Sequence, residues 1–281
     1  MYGTLYLCAT PIGNLEDITY RVVRVLGEVD LIAAEDTRNS LRLLNHLNIH
    51  TPMTSYHEHN KFDKARTLIE KLKEGQNIAV ITDAGTPAIS DPGEVLVRMC
   101  RQEGIPVTSL PGPAACITAL TLTGMDSRRF CFEGFLPTEK KELEQVLREL
   151  ETEKRTIILY EAPHRLKKTL DLLAKRLGED REMTLCRELT KLHEEAYFAT
   201  LGECIQRYEK EEPRGECVIV ISGADREKEE EEKREGFRQM GLEEHMKLYT
   251  SQGMDKKEAM KRVAKDLGVS KREIYDRLIE S

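Results

Sequence analysis

Three short loops rich in Gly, Pro and small residues each follow a strand-like apolar run in the first 115 residues. They span Thr10 to Asp17, Asp83 to Asp91 and Leu110 to Ala114. Ligands of open parallel sheets bind at the carboxyl ends of strands, and small residues let a backbone approach a ligand closely. Ordinary turn formation explains any single loop equally well. Three together favour a site in which backbone groups hold a flat organic ligand.

The loops lack the common nucleotide fingerprints. Neither G-x-G-x-x-G nor the P-loop pattern G-x-x-x-x-G-K-[ST] occurs in the chain, and no G-x-S-x-G elbow indicates a serine hydrolase. Asp83 could accept hydrogen bonds from an ammonium or hydroxyl group of a ligand, or it could simply form an Asx turn. His57-Glu58-His59 would place two imidazoles on one side of a strand, but no third ligand cluster is nearby, so we expect no metal.

Charged side chains gather at other strand ends. The clusters are Glu35, Asp36 and Arg38; Glu161, His164 and Arg165; and Arg187, Glu188, Lys191 and Glu194. Salt bridges on the surface are the usual role of such residues. A position facing a cleft makes substrate binding equally plausible, since Arg and Lys suit phosphate.

Composition narrows the class of protein. The chain has 281 residues, 40% of them hydrophobic, and a net charge of −7, which is not the basic balance of a general nucleic-acid binder. No run of about 18 apolar residues indicates a membrane span. The N-terminus lacks the features of a signal peptide, and the seven cysteines are scattered without a C-x-x-C pair. We therefore expect a cytoplasmic protein with no membrane partner.

Strand-like and helix-like segments alternate in the first half, which is typical of βαβ units. We predict a parallel-sheet α/β domain over residues 1–123 and a second, mixed α/β domain over 124–224. Residues 225–236 include a charge run without apolar periodicity and read as a linker. Residues 237–281 form a predicted helical extension.

The extension contains a predicted helix-turn-helix. Apolar residues at helical spacing run from Lys256 to Leu267, and Gly268-Val269-Ser270 forms a turn. A capping box over Ser270 to Glu273 opens a second helix, which carries Lys271, Arg272, Tyr275 and Arg277. A plain helical hairpin has the same pattern, so nucleic-acid contact is a hypothesis at this point.

Several motifs together resemble the tetrapyrrole-methylase superfamily. They are Thr10-Pro11-Ile12-Gly13-Asn14-Leu15, Ala34-Glu35-Asp36-Thr37-Arg38, Asp83-Ala84-Gly85-Thr86-Pro87, Leu110-Pro111-Gly112-Pro113, Phe132-Glu133-Gly134-Phe135-Leu136-Pro137, Tyr160-Glu161 with Pro163-His164-Arg165, and Arg187-Glu188-Leu189-Thr190-Lys191. Within the superfamily the chain is similar to the branch that methylates the ribose 2′-hydroxyl of a 16S rRNA cytidine. The resemblance covers roughly residues 4 to 223.

The resemblance implies two α/β domains of tetrapyrrole-methylase type, with S-adenosylmethionine (AdoMet) in the cleft between them, plus a small C-terminal helical extension. It also implies a homodimer. The implied cofactor-binding residues are Ile12, Asp83, Gly85, Thr86, Pro113 and Ala114 in the first domain and Tyr160 and Glu216 in the second.

The resemblance further implies 16S rRNA, or the small ribosomal subunit, as partner. Three carboxylates are candidate general bases, with no choice among them: Glu35, Asp36 and Glu161. The expected RNA contacts are Arg38, Arg165, Arg187, Lys191, Lys271 and Arg272. Two alternatives remain, namely methylation of a tetrapyrrole or other small molecule by the same fold, and a non-enzymatic RNA-binding protein.

Overall fold

A computed structural model describes residues 1–90, 93–225, 236–237 and 240–280. The chain divides into two compact units, residues 1–222 and 223–281. The first unit contains both β-sheets, and the described part of the second unit is helical.

The first sheet has five parallel strands. They are β1 (Leu5–Cys8), β2 (Leu31–Ala34), β3 (Met53–Ser55), β4 (Ile78–Ile81) and β5 (Val107–Leu110), in the order β3-β2-β4-β1-β5. All four residues of β4, Ile-Ala-Val-Ile, are buried, as expected for a parallel strand covered on both faces. The parallel sheet predicted from the alternating pattern is confirmed, and it places the carboxyl ends of all five strands at one edge.

Four helices cover this sheet: α1 (Tyr20–Glu28), α2 (Thr37–His46), α3 (Lys61–Lys73) and α4 (Gly93–Gln102). α1 starts where the Thr19 hydroxyl accepts a hydrogen bond from the Val22 N–H, and α2 starts where the Asp36 carboxylate accepts one from the Arg38 N–H. Their apolar sides form two buried clusters, one on each face of the sheet. The strand-end loops are therefore anchored by rigid elements on both sides.

The second sheet is mixed. Its strands are β6 (Phe130–Phe135), β7 (Thr156–Glu161), β8 (Glu182–Arg187), β9 (Glu195–Thr200) and β10 (Cys217–Ile221), in the order β6-β7-β10-β8-β9. Only β6 and β7 pair in parallel; the other three pairs are antiparallel. The predicted mixed topology is confirmed, although the sequence reading assigned no element to β6.

Helices pack on both faces of the second sheet. α6 (Lys140–Glu151), α7 (Pro163–Leu177) and α8 (Leu201–Lys210) share one buried cluster with one face. α5 (Ala115–Thr123), which directly follows β5 of the first sheet, packs on the other face through Cys116, Ala119 and Leu120. α5 thus joins the two sheets of the first unit.

In the second unit, the structure gives bounds for three helices: α9 (Leu242–Thr250), α10 (Lys256–Leu267) and α11 (Lys271–Glu280). They enclose a small core that includes Met246, Val263 and Ile274. α10 ends at Gly268 in the left-handed conformation, and the Ser270 hydroxyl accepts a hydrogen bond from the Glu273 N–H. The predicted helix pair is present. The predicted linker, residues 225–236, falls largely on 226–235, which lie outside the described residues.

No helix in the described ranges is long and apolar enough to cross a membrane.

Candidate active site

A cavity of about 410 Å³ lies between the loops of the first sheet and the end of the second sheet, all within the first unit. The first sheet contributes lining residues from the loops after β1, β2, β4 and β5: Ile12, Glu35, Asp83, Ala84, Gly85, Thr86, Ile89, Ser90, Ala114 and Ala115. The second sheet contributes Phe135, Tyr160, Glu161, Ala162, Pro163, Leu189, Glu216, Cys217 and Val218. A cavity of this size suits a cofactor-sized molecule.

Hydrogen bonds link the strand-end loops to one another. Thr10 and Gly85 form an isolated backbone bridge, with N···O distances of 2.9 and 3.0 Å. Gly85 has φ +85°, which is the left-handed region that glycine adopts without strain. The Thr86 hydroxyl donates to the Pro113 carbonyl oxygen at 2.9 Å. The three loops singled out in the sequence therefore form one connected wall.

The first loop also closes on the second sheet at Gly13. A Cβ at this position would lie 2.4 Å from Cγ of Lys191 and 2.8 Å from the Leu189 carbonyl oxygen. The neighbouring Asn14 N–H donates to the Thr190 hydroxyl at 3.0 Å. Only glycine lets the loop after β1 come this close to the loop after β8. The contact brings the loop after β8 against the cavity.

Backbone strain concentrates in the loops around this cavity. Of the described non-glycine residues with positive φ, Ala88 (67°) and Ser90 (63°) follow β4, and Glu188 (49°) and Thr190 (66°) follow β8. Only Asn48 lies elsewhere. Such conformations cost about 1–3 kcal/mol each and concentrate at ligand-binding and catalytic sites.

Tyr160 couples the two sheets. Its hydroxyl oxygen accepts a hydrogen bond from the Cys116 N–H at 3.1 Å, at the start of α5. Its ring packs edge-on against Phe132 and Phe135, with centroid distances of 4.9 and 5.7 Å. Phe135 is 51% exposed at the cavity, and the site prediction omitted it. An exposed aromatic residue within the Glu133-Gly134-Phe135 motif was the signal that could have identified it.

The cavity lining is acidic. Glu35, Asp83, Glu161 and Glu216 contribute carboxylates, and no Lys or Arg is among the described lining residues. Glu161 pairs with Arg165 and Glu216 with Lys191. Glu35 and Asp83 form no salt bridge with a Lys or Arg within the described ranges. The field inside the cavity therefore favours a cation.

Glu161 is committed to structural hydrogen bonds. It is 2% exposed, and its carboxylate accepts from the Ala162 N–H at 2.8 Å and from the Thr169 hydroxyl at 2.5 Å. Nε of Arg165 lies 3.4 Å away. These partners hold the start of α7 and occupy the carboxylate, so Glu161 is poorly placed to accept a proton from a substrate.

Asp36 lies outside the cavity lining. Its carboxylate accepts from the Arg38 N–H and guanidinium at 2.8 Å each, and these hydrogen bonds lower the pKa of Asp36 to about 2. Such an acid is a weak base. Its half-buried carboxylate caps α2 and pairs with Arg38.

Glu35 is different. It is half-buried, and burial is the main cause that raises the pKa of its carboxyl group, followed by the negative charge of Asp83. The Asp83 N–H donates to Glu35, while the Asp83 carboxylate accepts from the Asp36 N–H at 3.2 Å and the Asn39 amide at 3.3 Å. These backbone contacts hold two like charges together at the ends of the neighbouring strands β2 and β4.

Seven of the eight predicted cofactor-binding residues line the cavity. The eighth, Pro113, does not line the cavity, but its carbonyl oxygen accepts the hydrogen bond from Thr86, which does.

None of the Lys and Arg residues predicted to contact RNA lines the cavity. Arg187 pairs with Glu195, and Lys191 with Glu188 and Glu216. The Arg38 side chain is 88% exposed, and Lys271 and Arg272 lie in the second unit.

Residues 4–205 match the sequence profile of the tetrapyrrole (corrin/porphyrin) methylases. The chain belongs to the tetrapyrrole methylase family. Methylases of this family use AdoMet as the methyl donor, and the chain is accordingly an AdoMet-dependent methyltransferase. The solved structure of the methyltransferase CobJ has the same fold, with a TM-score of 0.61 at 17% identity; the match covers 80% of this chain and 95% of CobJ.

Two relatives differ in how much of the chain they match. The ribosomal RNA small subunit methyltransferase I of Synechocystis sp. is 45% identical over 278 residues, which is 99% of this chain and 98% of that protein. The Thermotoga maritima protein of the same name is 45% identical over 221 residues, which is 79% of this chain and 99% of that protein. That relative is therefore about as long as the first unit alone.

The cavity fits AdoMet by size and charge. AdoMet carries a sulfonium and an ammonium group, and the acidic lining with two carboxylates unpaired by Lys or Arg in the described structure suits such a cation. The connected loops present backbone groups without bulky side chains in front of them, because Ala84, Gly85 and Ala114 form much of one wall.

The pKa directions predict opposite pH effects on stability for two neighbouring acids. The pKa of Glu35 in the folded protein is raised above 4.5. The contribution of Glu35 to the free energy of unfolding is therefore fully present below pH 4.5 and is lost as the pH rises through the folded-state pKa. Glu35→Gln should therefore be more stable than wild type at neutral pH, and this advantage should shrink towards pH 4. Urea unfolding between pH 4 and 8 measures it.

Asp36→Asn is the control, because its effect on stability at neutral pH should have the opposite sign to that of Glu35→Gln. The pKa of Asp36 is lowered from 3.8 to about 2, so its stabilisation is present above pH 3.8 and lost as pH falls towards 2. Asn can still cap α2, which isolates the charge. We expect Asp36→Asn to be less stable than wild type at neutral pH. A Glu35→Gln protein that is less stable at every pH would contradict the interpretation of Glu35.

Proposed function

We propose that the chain methylates small-subunit ribosomal RNA at the ribose 2′-hydroxyl of a 16S rRNA cytidine, with AdoMet as donor. Two relatives named ribosomal RNA small subunit methyltransferase I, which are 45% identical over 99% and 79% of this chain, support the RNA class. The observation that carries the site assignment is the acidic cavity, which suits the cationic donor and disfavours a polyanion. The RNA therefore inserts only the target ribose at the cavity opening.

The residues of both sheets share the binding of AdoMet in this proposal. The loops at Ile12, Gly85, Thr86 and Ala114 contact the donor through backbone groups, and Pro113 fixes Thr86. Asp83 binds a positively charged group. Tyr160 and Glu216 close the cavity from the second sheet, where the hydrogen bond from Cys116 keeps the Tyr160 ring in place.

AdoMet supplies a methyl group on a sulfonium whose positive charge disappears on transfer. The protein must align a ribose hydroxyl, which is a poor nucleophile at neutral pH, with that methyl group. Holding two reactants in line supplies roughly 7–11 kcal/mol of the barrier. The strained residues Ser90 and Thr190 belong to the loops that keep this geometry rigid.

Glu35 is the general base in this mechanism. It lines the cavity, its carboxylate is not neutralised by a Lys or Arg in the described structure, and its raised pKa makes it a stronger proton acceptor than an ordinary glutamate. A bound cation offsets the repulsion between Glu35 and Asp83 and favours the ionised form of Glu35. Asp36, with its lowered pKa, and Glu161, with its occupied carboxylate, serve structure instead.

Glu35→Gln should reduce kcat for methyl transfer about 10²- to 10⁴-fold, because Gln keeps the shape and loses the proton acceptor. AdoMet affinity should fall as well, because Gln also removes one of the two carboxylates that face the cation, but by a much smaller factor than kcat. Transfer of a labelled methyl group from AdoMet to 16S rRNA and to assembled small subunits measures the rate, and nuclease digestion with mass spectrometry identifies the methylated ribose.

Asp36→Asn is the matched control and should keep activity within a few-fold of wild type. An unchanged kcat in Glu35→Gln removes Glu35 as the base. Failure of the wild-type protein to methylate either RNA substrate, while a known rRNA methyltransferase succeeds, overturns the proposed function.

Asp83→Ala should weaken AdoMet binding roughly tenfold or more, since loss of one charge-assisted hydrogen bond costs about 1.5–3 kcal/mol. Titration calorimetry measures the dissociation constant. Asp63→Ala, an exposed carboxylate on α3, is the control and should bind AdoMet as wild type does. Equal affinity for AdoMet in both variants would exclude Asp83 from the binding site.

The proposal includes a homodimer, supported by the outward face of α5. α5 contains no charged residue, and its apolar side chains Ile117 and Leu122 are 46% and 40% exposed. Phe198, on strand β9 of the second sheet, is 60% exposed. Such apolar exposure is typical of an interface.

Ile117→Asp should shift sedimentation from dimer to monomer at micromolar concentration, whereas Phe62→Asp, on helix α3 beside the first sheet, should not. A monomeric wild type contradicts the dimer.

A further inference from the structure

Among helices α9, α10 and α11 of the second unit, the net positive charge is concentrated on one. α10 carries five Lys or Arg and two acidic residues, which gives +3, although the whole chain has a net charge of −7. α9 carries one Lys and two Glu, and α11 carries three basic and three acidic residues. The excess of positive charge therefore lies on the first helix of the pair and not on the second.

Three lysines form a stripe along α10. Lys257, Lys261 and Lys265 are spaced by four residues, so they lie on one side of the helix and rise about 6 Å from one to the next. All three are exposed, whereas Ala259 and Val263 face the core. Within the described ranges none of the three forms a salt bridge. Among the described residues, no salt bridge occupies these charges, which an external anion could then contact.

The acidic residue nearest the end of the stripe is already engaged. Asp266 accepts a hydrogen bond from the Tyr249 hydroxyl and lies 3.3 Å from Nε2 of the buried His245. Arg262, the remaining cation in the middle of α10, also interacts with Tyr249. This cluster fixes α10 against α9 and leaves the lysine stripe facing outward.

α11 offers less net charge to an anion. Arg277 forms a salt bridge with Glu273 at 2.6 Å, and the exposed Asp276 lies one residue away. Lys271 and Arg272 at its start remain, but the helix as a whole is neutral. Attraction of a polyanion at long range depends on net charge, so α10 dominates.

We propose that Lys257, Lys261 and Lys265 bind the phosphate backbone of ribosomal RNA, and that the second unit thereby supplies affinity for RNA without taking part in chemistry. This inference rests on the proposed rRNA substrate. The acidic cavity repels RNA, so attraction must come from another surface. The stripe spans about 12 Å, and each phosphate that it neutralises releases counterions.

A relative of the length of the first unit alone is consistent with this division. The Thermotoga maritima protein matches 221 residues of the chain at 45% identity and has no length left for a second unit. That relative is thus shorter than this chain by about the length of the second unit. We infer that α10 adds RNA affinity to a complete catalytic unit.

The experiment measures the salt dependence of 16S rRNA binding by the full-length protein in filter-binding assays. The test variant is Lys257→Gln, Lys261→Gln and Lys265→Gln together; Gln has a helix propensity close to that of Lys, so the helix should persist, as circular dichroism would verify. The charge-matched control is Lys140→Gln, Lys141→Gln and Arg148→Gln on α6, all exposed. A third variant, Lys271→Gln with Arg272→Gln, tests α11.

The test variant should lower the slope of log Kobs against log salt by about 2, since each phosphate contact contributes about 0.7–0.9. Affinity at 50 mM salt should fall roughly tenfold or more. AdoMet affinity should match that of wild type. The α6 control should keep the wild-type slope.

An unchanged slope in the test variant overturns the inference, as does an equal loss in the α6 control or a larger loss in the α11 variant. These outcomes are independent of methyl transfer. A protein that binds 16S rRNA through α10 but transfers no methyl group disproves the proposed reaction and leaves the binding surface standing.

Discussion

Two carboxylates held together at neighbouring strand ends determine the character of the site. Glu35 and Asp83 follow β2 and β4, which are hydrogen-bonded neighbours in the parallel sheet, so the topology itself brings them into one cavity. Backbone contacts bind each to the other's loop, while burial and, after it, the negative charge of Asp83 raise the pKa of Glu35. The two carboxylates repel each other in the folded protein, and a bound cation such as AdoMet would reduce this repulsion. In the proposed mechanism, AdoMet binding and proton acceptance therefore depend on the same pair of carboxylates.

The second sheet completes the cavity because α5 belongs to both halves of the first unit. It follows the last strand of the first sheet but packs on the second, and Tyr160 fixes its start through the Cys116 N–H. Gly13 allows the first loop to meet the loop after β8 on the other side. Contacts thus close the cavity at two points, and at Gly13 there is no room for a larger residue.

Much of this could be predicted from the sequence. Strand-like runs ending in Gly and Pro identified the parallel sheet and its ligand-binding edge, because short apolar strands alternating with helices permit few topologies. Phe135 and Leu189 were missed, since their place in the cavity depends on how the second sheet meets the first. Ser90 was also missed, although it lies in one of the three loops that the sequence had singled out. The choice among Glu35, Asp36 and Glu161 also needed the structure, because burial and hydrogen-bond partners distinguish three otherwise similar carboxylates.

Charge separates the proposed tasks of the two units. A cavity that attracts a sulfonium must be negative, and that same field opposes a polyanionic substrate. The opposition is smallest when only a ribose enters the cavity and the phosphates bind elsewhere. The lysines of α10 provide such a place in a chain whose net charge is −7. In this proposal, the predicted helix pair binds RNA through its first helix. The sequence motif alone pointed to the second helix, because the pattern carries no information on which charges are neutralised.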